Sequence, residues 1–440
     1  MFAAARRLAD ETPADRNRVV DLMRVLSILV VVFGHWLMAA VTIENGTLVP
    51  GHLLELADWT HPLTWIFQVM PVFFFVGGYS NARSWRSAKR RGEPYGGWLR
   101  ARLRRLIVPV VPLLVVWGVL GWVALQAGLP WETLQLGSQV ALVPTWFLAA
   151  YVVIVTLAPL FLWFWDRFGW WSVAGGLALA GIADATSIAG GVVWVGFLNY
   201  VLVWGAVHQL GYAWVDGRLD GRARRWLLLA FGLAATLVLV RFGPYPVAMV
   251  GLDTAEITNS YPPRVTLALL GMFQAGLVLV AEPLLDRWMR RPIAWAFVVM
   301  VSVQIMTLYL WHLTAMVIAI GAGMALGGLG FGIEPLTGTW WLTRPSWFLV
   351  LGALTLVLVS ILGRFERPRP DNRPAPPWWR PAIAVAFVCA GLGLLAAIGI
   401  ADEQGLNGII LTLPIAGVVL GGVVGRPESA RAHRSYDAGA

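Results

Sequence analysis

Apolar stretches of about 20 residues recur along the whole chain, separated by short polar segments. Coiled as α-helix, a run of that length spans the roughly 30 Å hydrocarbon layer of a bilayer. The pattern predicts twelve spans, at about 19–41, 62–82, 105–127, 144–165, 170–187, 192–214, 226–241, 263–282, 296–324, 346–363, 382–401 and 407–424. The fifth and seventh are short. The other connections are brief and no internal repeat is visible. The fold class that follows is all-α, a polytopic transmembrane helix bundle.

Composition agrees. Hydrophobic residues make up 58% of the 440 positions and charged ones only 13%, against the roughly 45–50% apolar share of soluble domains. The net charge of +9 invites a nucleic-acid reading, but the arginines sit in short loops between apolar runs, which fits a membrane protein and no nucleic-acid partner. With the N-terminus in the cytoplasm, 30 of the 33 Lys and Arg fall on the cytoplasmic side, and only Arg241, Arg264 and Arg344 fall outside. A multi-pass plasma-membrane protein with both termini cytoplasmic is therefore expected. The first eighteen residues are polar and the run after them is long, so it reads as an uncleaved anchor. The single cysteine, Cys389, excludes an internal disulfide and reads as a packing residue.

Ionisable residues inside spans are functional candidates. The first span carries Asp21, Arg24 and His35. Arg24 and His35 are eleven residues apart, so they share one helix face about 16 Å apart, and Asp21 stands one turn before Arg24, placed to pair with it. His312 in the ninth span lies at a depth comparable with His35. Arg102 and Arg105, at the end of the basic 83–105 segment, share one helical face at a membrane entrance. They read either as a topological anchor or as guanidinium groups that bind the phosphates of a donor such as coenzyme A. Gly77 and Gly78, followed by Ser80, allow either close helix packing or approach of a ligand to backbone. Trp146 opens the fourth span as an interfacial anchor. His208 reads as a structural histidine, and Asp253 and Glu256 as solvated loop charges.

Several of these stretches together resemble one family. Asp21-Leu22-x-Arg24, the aliphatic run after it and Gly34-His35 resemble the opening helix of the acyltransferase family 3 membrane proteins. The aromatic run Phe73 to Phe75 before Gly77-Gly78, the Arg102-x-x-Arg105 pair before Pro109, Trp146-Phe147-Leu148 and Tyr309-Leu310-x-His312 are similar to later elements of that family. The resemblance covers about residues 15–364 and ten spans. It implies transfer of an acyl group, acetyl or another short chain, from cytoplasmic acyl-CoA to a hydroxyl of a glycan, lipid-linked sugar or other small acceptor. It further implies acyl-CoA as a co-substrate with no tightly bound cofactor or metal, His35, Arg24, Asp21 and His312 as catalytic candidates, and Arg102, Arg105, Tyr309, Trp146, Gly78 and Ser80 as donor- or substrate-binding candidates.

The expected organisation is a cytoplasmic segment 1–18, a membrane core 19–364, a proline-rich basic linker 365–381, two extra transmembrane helices 382–424 and a cytoplasmic tail 425–440. The role of the extra helices is open. Some members of the family carry a lipase-like soluble domain. Here the reaction is expected within the membrane unit, or completed by a partner. Acyl transfer needs the acceptor's proton removed as the thioester carbonyl is attacked, which a neutral imidazole does near pH 7. Asp21 lies about 21 Å from His35 along the helix and cannot orient it. No Gly-x-Ser-x-Gly elbow occurs, so serine-triad chemistry is not indicated. A transporter is the rival class, but matching broken helices in two halves do not stand out. A non-catalytic scaffold leaves the intramembrane Arg24, His35 and His312 without a purpose.

Overall fold

The computed structural model describes residues 6, 10–13, 15–44, 47–252, 255–366, 371 and 373–424. The expected tail 425–440 and Asp253 lie outside the described residues. Fifteen helices longer than ten residues carry the described fold: α1 (Arg18–Met38), α2 (Met70–Arg90), α3 (Tyr95–Ile107), α4 (Val110–Gln126), α5 (Trp131–Leu142), α6 (Pro144–Phe168), α7 (Trp170–Ile188), α8 (Asn199–Val215), α9 (Arg222–Phe242), α10 (Val265–Met289), α11 (Pro292–Ser302), α12 (Ile305–Ala325), α13 (Gly338–Leu362), α14 (Trp379–Ile398) and α15 (Gly408–Leu420). The described strands form two short hairpins, β1 (Thr42–Glu44) with β2 (Thr47–Val49) and β3 (Ala401–Asp402) with β4 (Gly405–Leu406). The all-α polytopic reading holds.

Ten helices or helix runs are long and apolar enough to cross a bilayer, eleven if α3 and α4 act as one bent span. Four expectations change. The ninth span is broken: α11 ends at Ser302, Gln304 leaves the helical region, and α12 starts at Ile305. The run from Val298 to Val303 stays apolar through the break, so the length of the apolar stretch does not reveal it. The twelfth span is only the 13 residues of α15, about 20 Å of helix. The 83–105 segment is not a loop, because α2 continues to Arg90 and α3 begins at Tyr95. The third span bends by 42° between α3 and α4, where Pro109 has no N–H to continue the ladder.

By its internal contacts the chain forms two compact units, residues 1–84 with 157–359 and residues 85–156 with 360–440. In the first, α1 starts where the Asn17 side chain accepts from the Val19 and Val20 amides, a cap for amides that otherwise have no partner. The helix packs on α10, α11 and α12. Helices α2 and α8 cross closely: a Cβ on Gly78 would overlap the His208 carbonyl, and one on Gly211 would overlap the Phe75 carbonyl. At the far end of α7, the buried Asp184 carboxylate accepts from Asn199 Nδ2 (2.8 Å), the Val265 amide (2.9 Å), Tyr245 Oη (3.1 Å) and Arg264 Nη1 (3.2 Å).

The second unit contains α3, α4, α5, α14 and α15 and the part of α6 up to residue 156. Here the described residues of the expected linker dock on α3. Asp371 meets Arg100 Nε and Arg104 Nη1, each at 3.3 Å, and Arg373 Nε at 2.8 Å. The Arg100 guanidinium donates to the Arg373 and Pro374 carbonyls at 2.7 and 2.8 Å. Gly96 gives the Pro376 carbonyl room against α3. The extra helix α14 packs on α3 and α5, and α15 on α4. These two helices therefore complete the unit that carries the arginine-rich helix. Cys389 Sγ lies 3.4 Å from the Ala149 carbonyl in this packing.

Candidate functional site

The expected pair of intramembrane histidines meets. His35, in the last turn of α1, and His312, in the second turn of α12, place Nδ1 and Nε2 2.9 Å apart. Their rings are within 6° of parallel. His312 is fully buried, whereas His35 is partly exposed.

The proton positions follow from the bonding pattern. His312 Nδ1 lies 2.6 Å from the Tyr309 carbonyl, and a carbonyl only accepts, so a neutral His312 carries its proton on Nδ1. Its Nε2 is then an acceptor, which requires His35 to donate from Nδ1. His35 Nε2 is left with its lone pair and no proton. A backbone carbonyl, one histidine and then a second thus fix the tautomer of the outermost ring, the arrangement that orients a general base. The sequence pattern placed His312 at a depth comparable with His35 but did not say which ring orients which.

Tyr309 contributes to this relay through its main chain, and its ring stands 6.1 Å from His312. Trp36 Nε1 donates to the His312 carbonyl at 3.2 Å, and Trp347 Nε1 on α13 donates to the Trp36 carbonyl at 3.0 Å. Three helices therefore hold the histidine pair.

At the other end of α1 the expected Asp21–Arg24 pair is present, and Arg16 joins it. Asp21 is held first by Arg16 Nε at 2.7 Å, with Arg24 Nη1 at 3.7 Å. The Asp21 carboxylate beside it raises the Arg16 guanidinium above its ordinary value. Arg18 donates to the Met289 carbonyl and lies over the Trp295 ring. This leaves Arg24 partly exposed, with the weaker of the two contacts to Asp21.

Gly78 serves the α2–α8 crossing, and Ser80 Oγ donates back to the Val76 carbonyl at 2.9 Å. His208 has the structural role expected of it: fully buried, it meets the Phe74 carbonyl through Nδ1 and Asn81 Nδ2 through Nε2. Arg102, Arg105 and Trp146 belong to the second unit. The Arg102 guanidinium lies 5.7 Å from the Trp98 ring, Arg105 is exposed, and Trp146 packs edge-on against Phe147. Arg100 and Arg104, which the sequence pattern did not separate from their neighbours, face the linker instead. Their one sequence signal is the i, i+4 spacing that puts both on a single face. Among the described residues no group of three or more His, Cys, Asp or Glu is placed to hold a metal ion.

Residues 17–364 match a family model described as an acyltransferase domain, of the acyltransferase 3 type. No curated protein and no solved structure matches the chain.

Proposed function

Given that the chain belongs to the acyltransferase 3 family, we propose that it transfers an acyl group from acyl-CoA to a hydroxyl of a glycan, lipid-linked sugar or other small acceptor, with His35 as general base. One observation carries the assignment: the fixed tautomer chain from the Tyr309 carbonyl through His312 to His35 leaves a basic nitrogen on the partly exposed ring. In the step we propose, the acceptor hydroxyl gives its proton to His35 Nε2 as its oxygen bonds to the thioester carbonyl carbon. The C–S bond then breaks and the coenzyme A thiolate leaves, taking up that proton. The Nδ1–H bond of His35 to His312 Nε2 holds the ring in place and delocalises the positive charge that forms. Within this reading Arg24 holds the polar head of the donor, and Arg102 and Arg105 on α3 bind its phosphates through charge-assisted hydrogen bonds.

The test is turnover and donor binding measured separately on purified protein in detergent. His35→Ala removes the proton acceptor, and loss of a general base costs about 100- to 10,000-fold in rate, so transfer collapses while acyl-CoA still binds. His312→Ala leaves the base but frees its ring, so turnover falls less. Arg102→Gln and Arg105→Gln weaken donor binding without that collapse. Transfer at the parent rate by a correctly inserted His35→Ala variant refutes the assignment.

A further inference from the structure

Arg344 is one of three arginines outside the cytoplasmic set, and its surroundings are unusual for a charged side chain on an apolar helix. Its guanidinium stands 4.1 Å from the centroid of the Trp340 ring and 5.7 Å from that of Trp347. The three residues are spaced i, i+4, i+7, so they share one face of α13. That face is turned to α1. Trp347 bonds the Trp36 carbonyl, and Trp340, 2% exposed, packs with Ala40, Leu53 and Ala57 beside Leu37 and Met38.

The arginine lies at the same end of α1 as His35. Its Nε is buried with no hydrogen-bond partner among the described residues, and its described contacts are the two indoles. A cation over an indole is attracted by the face of the ring, but that contact uses none of the five N–H donors. A leucine or methionine would pack between the same rings without burying a donor. A planar fork of donors held open by aromatic walls is the geometry that binds phosphate or carboxylate.

We propose that Arg344, between Trp340 and Trp347, is an oxyanion-binding subsite for the acceptor, so that the hydroxyl compound acylated here carries a phosphate or carboxylate. The proposal rests on the acyl-transfer reading and names the acceptor class within it. Arg344 binds the anion on the side that the arginine asymmetry makes extracytoplasmic, while the hydroxyl of the same molecule reaches His35.

The test reads Arg344 directly. Purified full-length protein in a neutral detergent is treated with an arginine-selective dicarbonyl, and modification of the Arg344 peptide is followed by mass spectrometry. Glucuronate and glucose 1-phosphate serve as anionic probes, glucose as the neutral one, and phosphatidylglycerol against phosphatidylcholine nanodiscs as the lipid arm. Both anionic probes should slow modification of Arg344, and glucose should not. His35→Ala should leave that protection intact, which separates this proposal from the assignment of the base. In transfer assays, Arg344→Gln should weaken use of anionic acceptors about 10- to 100-fold, the range for one lost charge-assisted contact. Arg344→Lys should restore part of the loss, and the loss should be smaller for neutral acceptors. Equal protection by glucose, no protection by either anion, or protection by phosphatidylglycerol alone overturns the proposal. The last outcome would make the site a lipid-headgroup contact.

Discussion

Replacing Asp184 by alanine tests how the polar end of α7 holds the first unit together. The carboxylate is 1% exposed and Arg264 is 6% exposed. Four donors converge on Asp184: Asn199 Nδ2, the Val265 amide, Tyr245 Oη and Arg264 Nη1. Without the carboxylate, Arg264 keeps one described acceptor, Ser187 Oγ at 3.2 Å, and its buried Nε already lacks a partner. Breaking one side of a buried ion pair costs about 3–5 kcal/mol, because the surviving charge is left uncompensated. Removing both charges is far less costly, since no ion then remains buried. Asp184→Ala should therefore lower the melting temperature in detergent by several degrees, while Asp184→Ala with Arg264→Met should recover most of that loss. Intrinsic tryptophan fluorescence follows the transition. A coupling on the order of 1–3 kcal/mol between the two sites is expected. If Asp184→Ala melts with the parent, or the double variant melts below the single one, the pair is not what holds α7, the 243–264 segment and the start of α10 together.

Two further outcomes follow from packing and charge. The Arg373 hydrogen bond, with Arg100 also nearby, holds the Asp371 carboxyl well below the usual carboxylate range. A depressed acid stabilises the folded form above its unfolded pKa of about 3.9 and stops doing so as pH falls towards its folded value. Linker docking should then be flat from pH 7 to about pH 5 and weaken below about pH 4. In a Cys389→Ala background, the pair Gly97→Cys and Ala375→Cys should form a disulfide, since a Cβ on Gly97 would lie 3.2 Å from the Ala375 Cβ. Asp371→Asn should lower its yield at pH 7, and an unchanged yield would show that Asp371 does not hold the linker. Gly78→Ala should destabilise by about 1–3 kcal/mol, because its Cβ meets backbone that cannot yield. Gly175→Ala, on α7 with open space around its Cβ, should be neutral or stabilising, and equal melting of the two variants would refute the tight α2–α8 crossing.

The sequence alone determined most of the bilayer-crossing segments and the chemistry carried on them. Hydrocarbon thickness sets a threshold that each helix meets by itself, so apolar run length is a local property, legible one segment at a time. The alignment of Arg24 with His35 is likewise local, fixed by 3.6 residues per turn. What lay between segments was not legible. That His35 meets His312 across 277 positions, and that the Tyr309 carbonyl sets both tautomers, depends on how α1 and α12 pack. The break between α11 and α12 is not legible in sequence because a valine-rich stretch is equally apolar whether or not it stays helical. Arg100 and Arg104 looked like Arg102 and Arg105 until Asp371 came back from the far end of the chain to take the first two. Asp184 and Arg264 were two isolated charges in sequence and one buried pair in space. Burial and partnership are pairwise and long-range, and only the assembled helices decide them.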